Sequence, residues 1–142
     1  TSGGVLSWES VSTPIKEVFT FNYNQGNFGN NANVINQDFS PTVAGKCIIM
    51  WTCNFRAASQ THYYWNTHFD NGTTDNTDLR VDGSSTPVEN TGHNHSIGVT
   101  AVTNNSTVVG QTATVRVSLN SGDTANQSGD GDYEQTLVIM VI

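Results

Sequence analysis

Basic residues are scarce in this chain. Five Lys and Arg stand against twelve Asp and Glu in 142 residues, a formal net charge of −7. Lys16, Lys46, Arg56, Arg80 and Arg116 are scattered singly. Nucleic-acid binding needs a clustered basic footprint, so DNA and RNA are excluded as main partners. Attachment to an anionic membrane is disfavoured for the same reason. No apolar run approaches the roughly 20 residues of a membrane span, and the opening residues do not read as a charged-then-apolar leader. Thr1 is a residue type that tolerates removal of an initiator Met, so a nearly complete translation product is expected.

Catalytic signatures are missing too. The sequence contains no GxSxG, Walker loop, GxGxxG or HExxH. Paired carboxylates for sugar hydrolysis need buried, perturbed groups, whereas Asp and Glu here fall almost wholly in turn-like stretches. No enzyme is expected.

Cysteine is limited to Cys47 and Cys53, set in the stretch CIIMWTC. Its β-branched and aromatic residues, with no Gly or Pro, read as a strand. At about 3.3 Å per residue the two sulfurs lie roughly 20 Å apart. A disulfide needs Cα atoms within about 7 Å, so the pair cannot close inside one strand. The spacing also misses the CxxC of redox and zinc motifs. Cys47, Ile49, Trp51 and Cys53 share one side, Ile48 and Met50 the other, which predicts a central strand covered on both faces. The cysteines then act as small buried hydrophobes. The remaining alternative is a bond to another chain.

What is abundant is uncharged polarity. Only 35% of the chain is hydrophobic and 12% charged, leaving a surface of Asn, Thr, Ser, Gly and Gln. Disordered chains share the low apolar content but carry high charge and few aromatics. Here Trp8, Trp51 and Trp65, with Phe and Tyr, are spread along the sequence. One domain with a real core is predicted, all-β and rich in turns.

The pattern along the chain agrees. TSGG reads as a loose arm, VLSWESVS as a first strand that Pro14 breaks, and residues 1–12 as an N-terminal arm or first strand ahead of a domain over 13–142. KEVFTFNY sets Val18, Thr20 and Asn22 opposite Phe19, Phe21 and Tyr23 with period two. NQGNFGNNANV is a turn-rich loop. THYYWNTHFDNG directs His62, Tyr64, Asn66 and His68 away from Tyr63, Trp65, Thr67 and Phe69. DLRVDG is a short strand closed by Asp82-Gly83. HNHSIGVTAVT, TATVRVSLNSGD and YEQTLVIMVI complete a set of strands with no convincing helix. A β-sandwich, a jelly roll or a Greek-key barrel fits.

The order of motifs resembles a known family. DFSPTVAGKCIIMWTCNF is similar to the aromatic–Pro–Gly lead-in to a buried strand in the globular heads of complement and tumour-necrosis-factor-like proteins, with Phe39, Pro41 and Gly45 at its turn positions. TVRVSLNSGD followed by YEQTLVIMVI looks like that family's last two strands. The resemblance covers about the last 105 residues by pattern. It implies a two-sheet antiparallel jelly-roll sandwich and a threefold assembly. The aromatic-Gly usual in the closing strand is absent, and the Asn-rich loops are longer than in the family. Similar short jelly rolls decorate phage capsids and tip phage fibres, and the Asn/Thr-rich, Lys-poor composition looks like that group.

Candidate sites follow from residue type. GHNHS places His93 and His95 on one face, a metal-like pair that falls short of the three or four ligands zinc needs. Asp70, Asp75 and Asp78, with Asn71, give DNGTTDNTD the oxygen-rich look of a calcium loop, as do Asp130, Asp132 and Glu134 in GDGDYE; ordinary turns use the same residues. No cofactor is expected, calcium being the ion to consider. Phe28 in an Asn-rich loop is a candidate to stack on a sugar. Sequons at Asn71, Asn94, Asn104, Asn105 and Asn126 arise by chance in so Asn- and Thr-rich a chain, and no glycans are assigned. LVIMVI is too apolar on both faces for a strand with one wet side, so Leu137, Ile139 and Val141 are expected at a trimer interface. Leu6 and Trp8 in the arm suit pairing with the strand edge of a neighbouring shell protein. The alternative is that Trp8 completes the domain's own sheet.

The reading this supports is a structural virion-surface protein: a phage capsid cement or decoration homotrimer, assembled in the host cytoplasm and attached to the major capsid protein or another virion protein. The alternative is a receptor- or carbohydrate-binding module such as a viral fibre tip.

Overall fold

In the computed structural model the described residues form ten strands separated by turns, and none of them is helical. These residues are 14–23, 27–28, 33–57, 62–74, 79–87, 94–119, 125–126 and 135–142; of residues 27–28, 57, 62, 79–87 and 125–126 the structure describes the backbone alone. In chain order the strands are β1 (Glu17–Tyr23), β2 (Asn27–Phe28), β3 (Asn33–Phe39), β4 (Lys46–Ala57), β5 (His62–Asp70), β6 (Leu79–Pro87), β7 (Asn94–Ser106), β8 (Ala113–Leu119), β9 (Ala125–Asn126) and β10 (Gln135–Val141). The larger sheet has six strands in the order β1-β10-β4-β9-β2, with β7 paired to β4; the smaller has four, β3-β8-β5-β6. Every pairing is antiparallel. This is the predicted two-sheet antiparallel jelly-roll sandwich.

Period-two sequence explains the layers. In β1 the odd positions, including Phe19, Phe21 and Tyr23, turn inward and the even ones outward. In β5 Tyr63, Trp65, Thr67 and Phe69 are buried. Cys47, Ile49, Trp51, Cys53 and Phe55 of β4 fill the space from the other side, with Leu137, Ile139 and Val141 beside them. Aromatic rings lock the sheets together, Trp51 on Trp65 at 5.7 Å and Phe55 on Tyr63 at 5.4 Å between centroids, in tilted arrangements. Within this apolar layer Trp51 Nε1 donates to Thr67 Oγ1 at 2.9 Å, tying one sheet to the other. Gln135 works against the core: it is fully buried, and neither polar atom of its side-chain amide meets a hydrogen-bond partner among the described residues. A buried unpaired polar group costs about 1–3 kcal/mol.

Both cysteines are free and buried, as the strand geometry requires. Burial pushes each thiol up from 9.0 to about 12, and the Tyr23 hydroxyl from 10.0 to about 12. Folded-state values above the unfolded ones mean a contribution to stability that is full below pH 9.0 and is lost as pH climbs through about 12. The expected result is a urea midpoint that falls progressively above pH 9.0, together with thiols that stay silent toward a disulfide reagent at neutral pH until the chain unfolds. A fast-reacting thiol in the folded protein contradicts this burial.

Three expectations are corrected. CIIMWTC is central, between β10 and β7, but only its Cys/Trp side is covered; Ile48 and Met50 lie on the outer surface of the sheet. Asp82-Gly83 is no turn, because β6 runs straight through it with Gly83 opposite Asn66. The Asn-rich loop ends sooner than its composition implies, giving way to β3, where a register shift between Asn33 and Ile35 lets Val34 and Ile35 both be buried.

One end of the sandwich is closed by backbone. Thr107 N donates to Gly45 O, Ile142 N to Lys46 O and Lys16 N to Val141 O. The Glu17 carboxylate accepts from Thr42 N at 3.0 Å and Thr42 Oγ1 at 3.2 Å. Gly45 is required there, since a Cβ would run into the Ile142 carbonyl oxygen. This closed end is called the base below.

Candidate assembly face

The two outer surfaces of the sandwich differ in kind. On the larger sheet the register aligns Val18, Met140, Ile48 and Val102 in one row across β1, β10, β4 and β7. The next row is Thr20, Val138, Met50 and Thr100, and the third Asn22, Thr136, Thr52 and Gly98. None of these positions carries a charge. Val18 and Val102 are each 53% exposed, large apolar side chains left in water at both sides of the sheet. A shallow apolar groove runs between Met50, Thr52, Gly98, Thr100, Thr136 and Val138. Gly98 creates it, because a Cβ there would meet nothing closer than Thr52 Cγ2 at 3.7 Å.

The smaller sheet is polar outside. Its rows read Asp38, Thr114, Asp70, then Asn36, Arg116, His68, then Ser118, Asn66. Thr114 Oγ1 donates to Asp38 Oδ1 at 2.6 Å. Tyr64, 51% exposed, is the one large hydrophobic side chain among the described positions of this surface. An antiparallel sheet normally wets one face and buries the other. The smaller sheet follows that rule; the larger has apolar residues on both sides.

This corrects the expected interface residues. Leu137, Ile139 and Val141 are each 0% exposed and belong to the chain's own core, where they sit in register with Trp51, Ile49 and Cys47. The surface residues of β10 are the alternate set, Val138 and Met140. A one-residue change of parity swaps the two faces of a strand completely, and LVIMVI is apolar in both parities. Ile48 and Met50, the other parity of CIIMWTC, escape the sequence reading for the same reason, whereas Val18 faces outward as the alternation of KEVFTFNY predicts. The signal is the second apolar side of CIIMWTC, which the single chain leaves partly exposed.

The metal and sugar candidates are placed as follows. His95 lies on the inward side of β7 with its ring 5.6 Å from that of Phe55, packed at the end of the core. Asp70 Oδ1 accepts from Gly72 N at 2.7 Å, which is the work of a turn residue. His93, Asp75 and Asp78 lie outside the described residues, as do Asp130, Asp132, Glu134, Leu6 and Trp8. Among the described residues no group of three or more His, Cys, Asp and Glu could hold a metal ion. Phe28 is placed by its backbone in β2, opposite Ala125. Asn71 is buried with its amide engaged, leaving no room for a glycan.

The sequence matches no protein-family model and no curated relative. Among solved structures the chain is similar to the Eiger tumour necrosis factor of S. frugiperda, with a TM-score of 0.50 and 8% identity over 87% of this chain and 92% of that one. The fold is tumour-necrosis-factor-like. At that identity the likeness speaks for the jelly roll alone.

Proposed function

We propose that this chain is a structural virion-surface protein, a capsid cement or decoration protein that works as a homotrimer joined through the outer face of the larger sheet. The observation that carries the reading is the uncharged apolar face built on Val18, Met140, Ile48 and Val102. Exposed contiguous apolar surface marks an interaction site. The choice of a second copy as occupant rests on charge. Chains of net charge −7 repel one another, and a face free of charge is where they can meet. The partner on the virion would be the major capsid protein or another shell protein, gripped by the arm over residues 1–12 with Leu6 and Trp8. No resident metal or cofactor and no catalytic step enters this function.

Sedimentation or native mass at micromolar concentration should give three times the chain's 15.3 kDa. A stable monomer sinks the trimer. Deleting residues 1–12 should leave a folded trimer that no longer attaches to shells, and retained attachment sinks the arm.

A second reading, a receptor- or carbohydrate-binding module such as a fibre tip, has one observation in its favour. Tyr64 stands exposed on the smaller sheet two positions along β5 from Asn66, which pairs with Ser118, an aromatic ring beside an amide and a hydroxyl as a sugar's C–H face and hydroxyls require. Saturable binding on a glycan array that Tyr64→Ala or Phe28→Ala abolishes would promote it above the cement reading.

A further inference from the structure

The turn that follows β5 carries chemistry that assembly does not use. Asn71-Gly72 is the one Asn-Gly pair in the 142 residues. In such a pair the glycine nitrogen is sterically free to attack the asparagine side chain. The Gly72 nitrogen loses its proton and bonds to Asn71 Cγ, and the side-chain amide leaves as ammonia. Water then opens the resulting succinimide at either carbonyl, giving aspartate or isoaspartate. No oxidant or enzyme is needed.

In the folded chain every participant is engaged in a hydrogen bond elsewhere. Gly72 N, the nucleophile, donates to Asp70 Oδ1 at 2.7 Å. Asn71 Oδ1 accepts from Thr73 N at 3.1 Å and Thr73 Oγ1 at 2.8 Å, while Asn71 Nδ2, on the leaving group, donates to Ser106 O at 3.2 Å. Asn71 is 5% exposed. Gly72 has φ of 79°, and its Cα lies so close to Thr112 O that a Cβ could not be accommodated. The close approach to Thr112 O leaves the Gly72 backbone little room for the rotation that ring closure requires.

Ser106 leads into Thr107, whose hydroxyl accepts from Gly45 N and donates to Val43 O. Asn71 is thus joined to the base. Conversion to a carboxylate replaces a donor to Ser106 O with an anion facing a carbonyl oxygen in a buried site. We propose that Asn71 is a spontaneous deamidation site that the closed base protects, and that its conversion records, and then promotes, opening of the base.

Peptide mapping by mass after incubation in warm, mildly alkaline buffer tests this. Folded wild type should convert at residue 71 at least about tenfold more slowly than the same chain in denaturant, because reaction waits on local opening. Asp70→Ala and Thr73→Val should convert several-fold faster than wild type while still folded, whereas Asp70→Asn, which keeps the acceptor oxygen, should match wild type. Asn71→Asp, standing in for the product, should melt about 5 °C lower. Equal rates in folded and denatured wild type, or no acceleration in either released variant, overturn the protection. An unchanged melting temperature for Asn71→Asp overturns the coupling to the base.

Discussion

Trp51→Ala is expected to leave the domain largely unfolded. Trp51 is 1% exposed and packs on Trp65 at the centre of the layer between the sheets. Truncating a buried Trp costs about 3–5 kcal/mol in lost burial and in the cavity left behind. The change also strips Thr67 Oγ1, itself buried, of its donor. An orphaned buried polar group adds about 1–3 kcal/mol. Against a total stability of about 5–15 kcal/mol for a domain, that sum is most of what holds the fold. Urea unfolding by tryptophan fluorescence and near-UV circular dichroism reads it directly. Two milder variants separate packing from hydrogen bonding. Trp51→Phe keeps a ring but loses the bond, and Thr67→Val leaves the indole N–H unpaired, so each should cost about 1–3 kcal/mol. The double variant has neither partner and should cost less than the sum of the two. Strict additivity would show that the cross-sheet bond carries no coupling, and a stable Trp51→Ala would show that the core is built elsewhere.

The elements legible in the sequence were those whose two faces differ in chemistry. In KEVFTFNY and THYYWNTHFD aromatics alternate with polar residues, so strand and facing direction are fixed together, and the structure places both as read. Legibility failed where both faces were alike. CIIMWTC and LVIMVI offer an apolar set in either parity, and only pairing between them, Leu137 opposite Trp51 and Met140 opposite Ile48, decides which set is inside. That pairing is a tertiary fact with no local signature. β3 escaped for another reason: Val34 and Ile35 are adjacent and both buried through a register shift, which breaks the alternation a strand is read by. Asp82-Gly83 has turn chemistry, yet Asp82 pairs with Thr67 and Gly83 with Asn66 beside a second register shift. Strong local propensity was overridden by the sheet. The candidate face is half legible: the excess of apolar residues in the closing strand is visible in the sequence, while which alternate residues turn outward is not.

Charging the outer row is expected to dissolve the proposed trimer without touching the fold. Met140 lies in the middle of the row Val18, Met140, Ile48 and Val102, with Val18 and Val102 half-exposed at its ends. In an isolated chain a charge at 18 or 102 stays in water, so Val18→Glu and Val102→Glu should change stability by no more than about 0.5 kcal/mol. In an assembly closed over this face the same carboxylate would be buried without a partner, at a cost of several kcal/mol. At about 1.4 kcal/mol per factor of ten, each substitution weakens association at least a hundredfold, and the pair together should yield a folded monomer. Val102→Lys is the control for net charge, because it lowers the repulsion between acidic chains; if it also dissociates the assembly, burial and not overall charge is responsible. Ile139→Glu, one position away from Met140 but on the inner face, should unfold the chain outright, since it puts the carboxylate in the core. Sedimentation velocity and circular dichroism on the same samples separate the outcomes. A trimer that survives both glutamates would show that the copies meet elsewhere, leaving the apolar face to another partner.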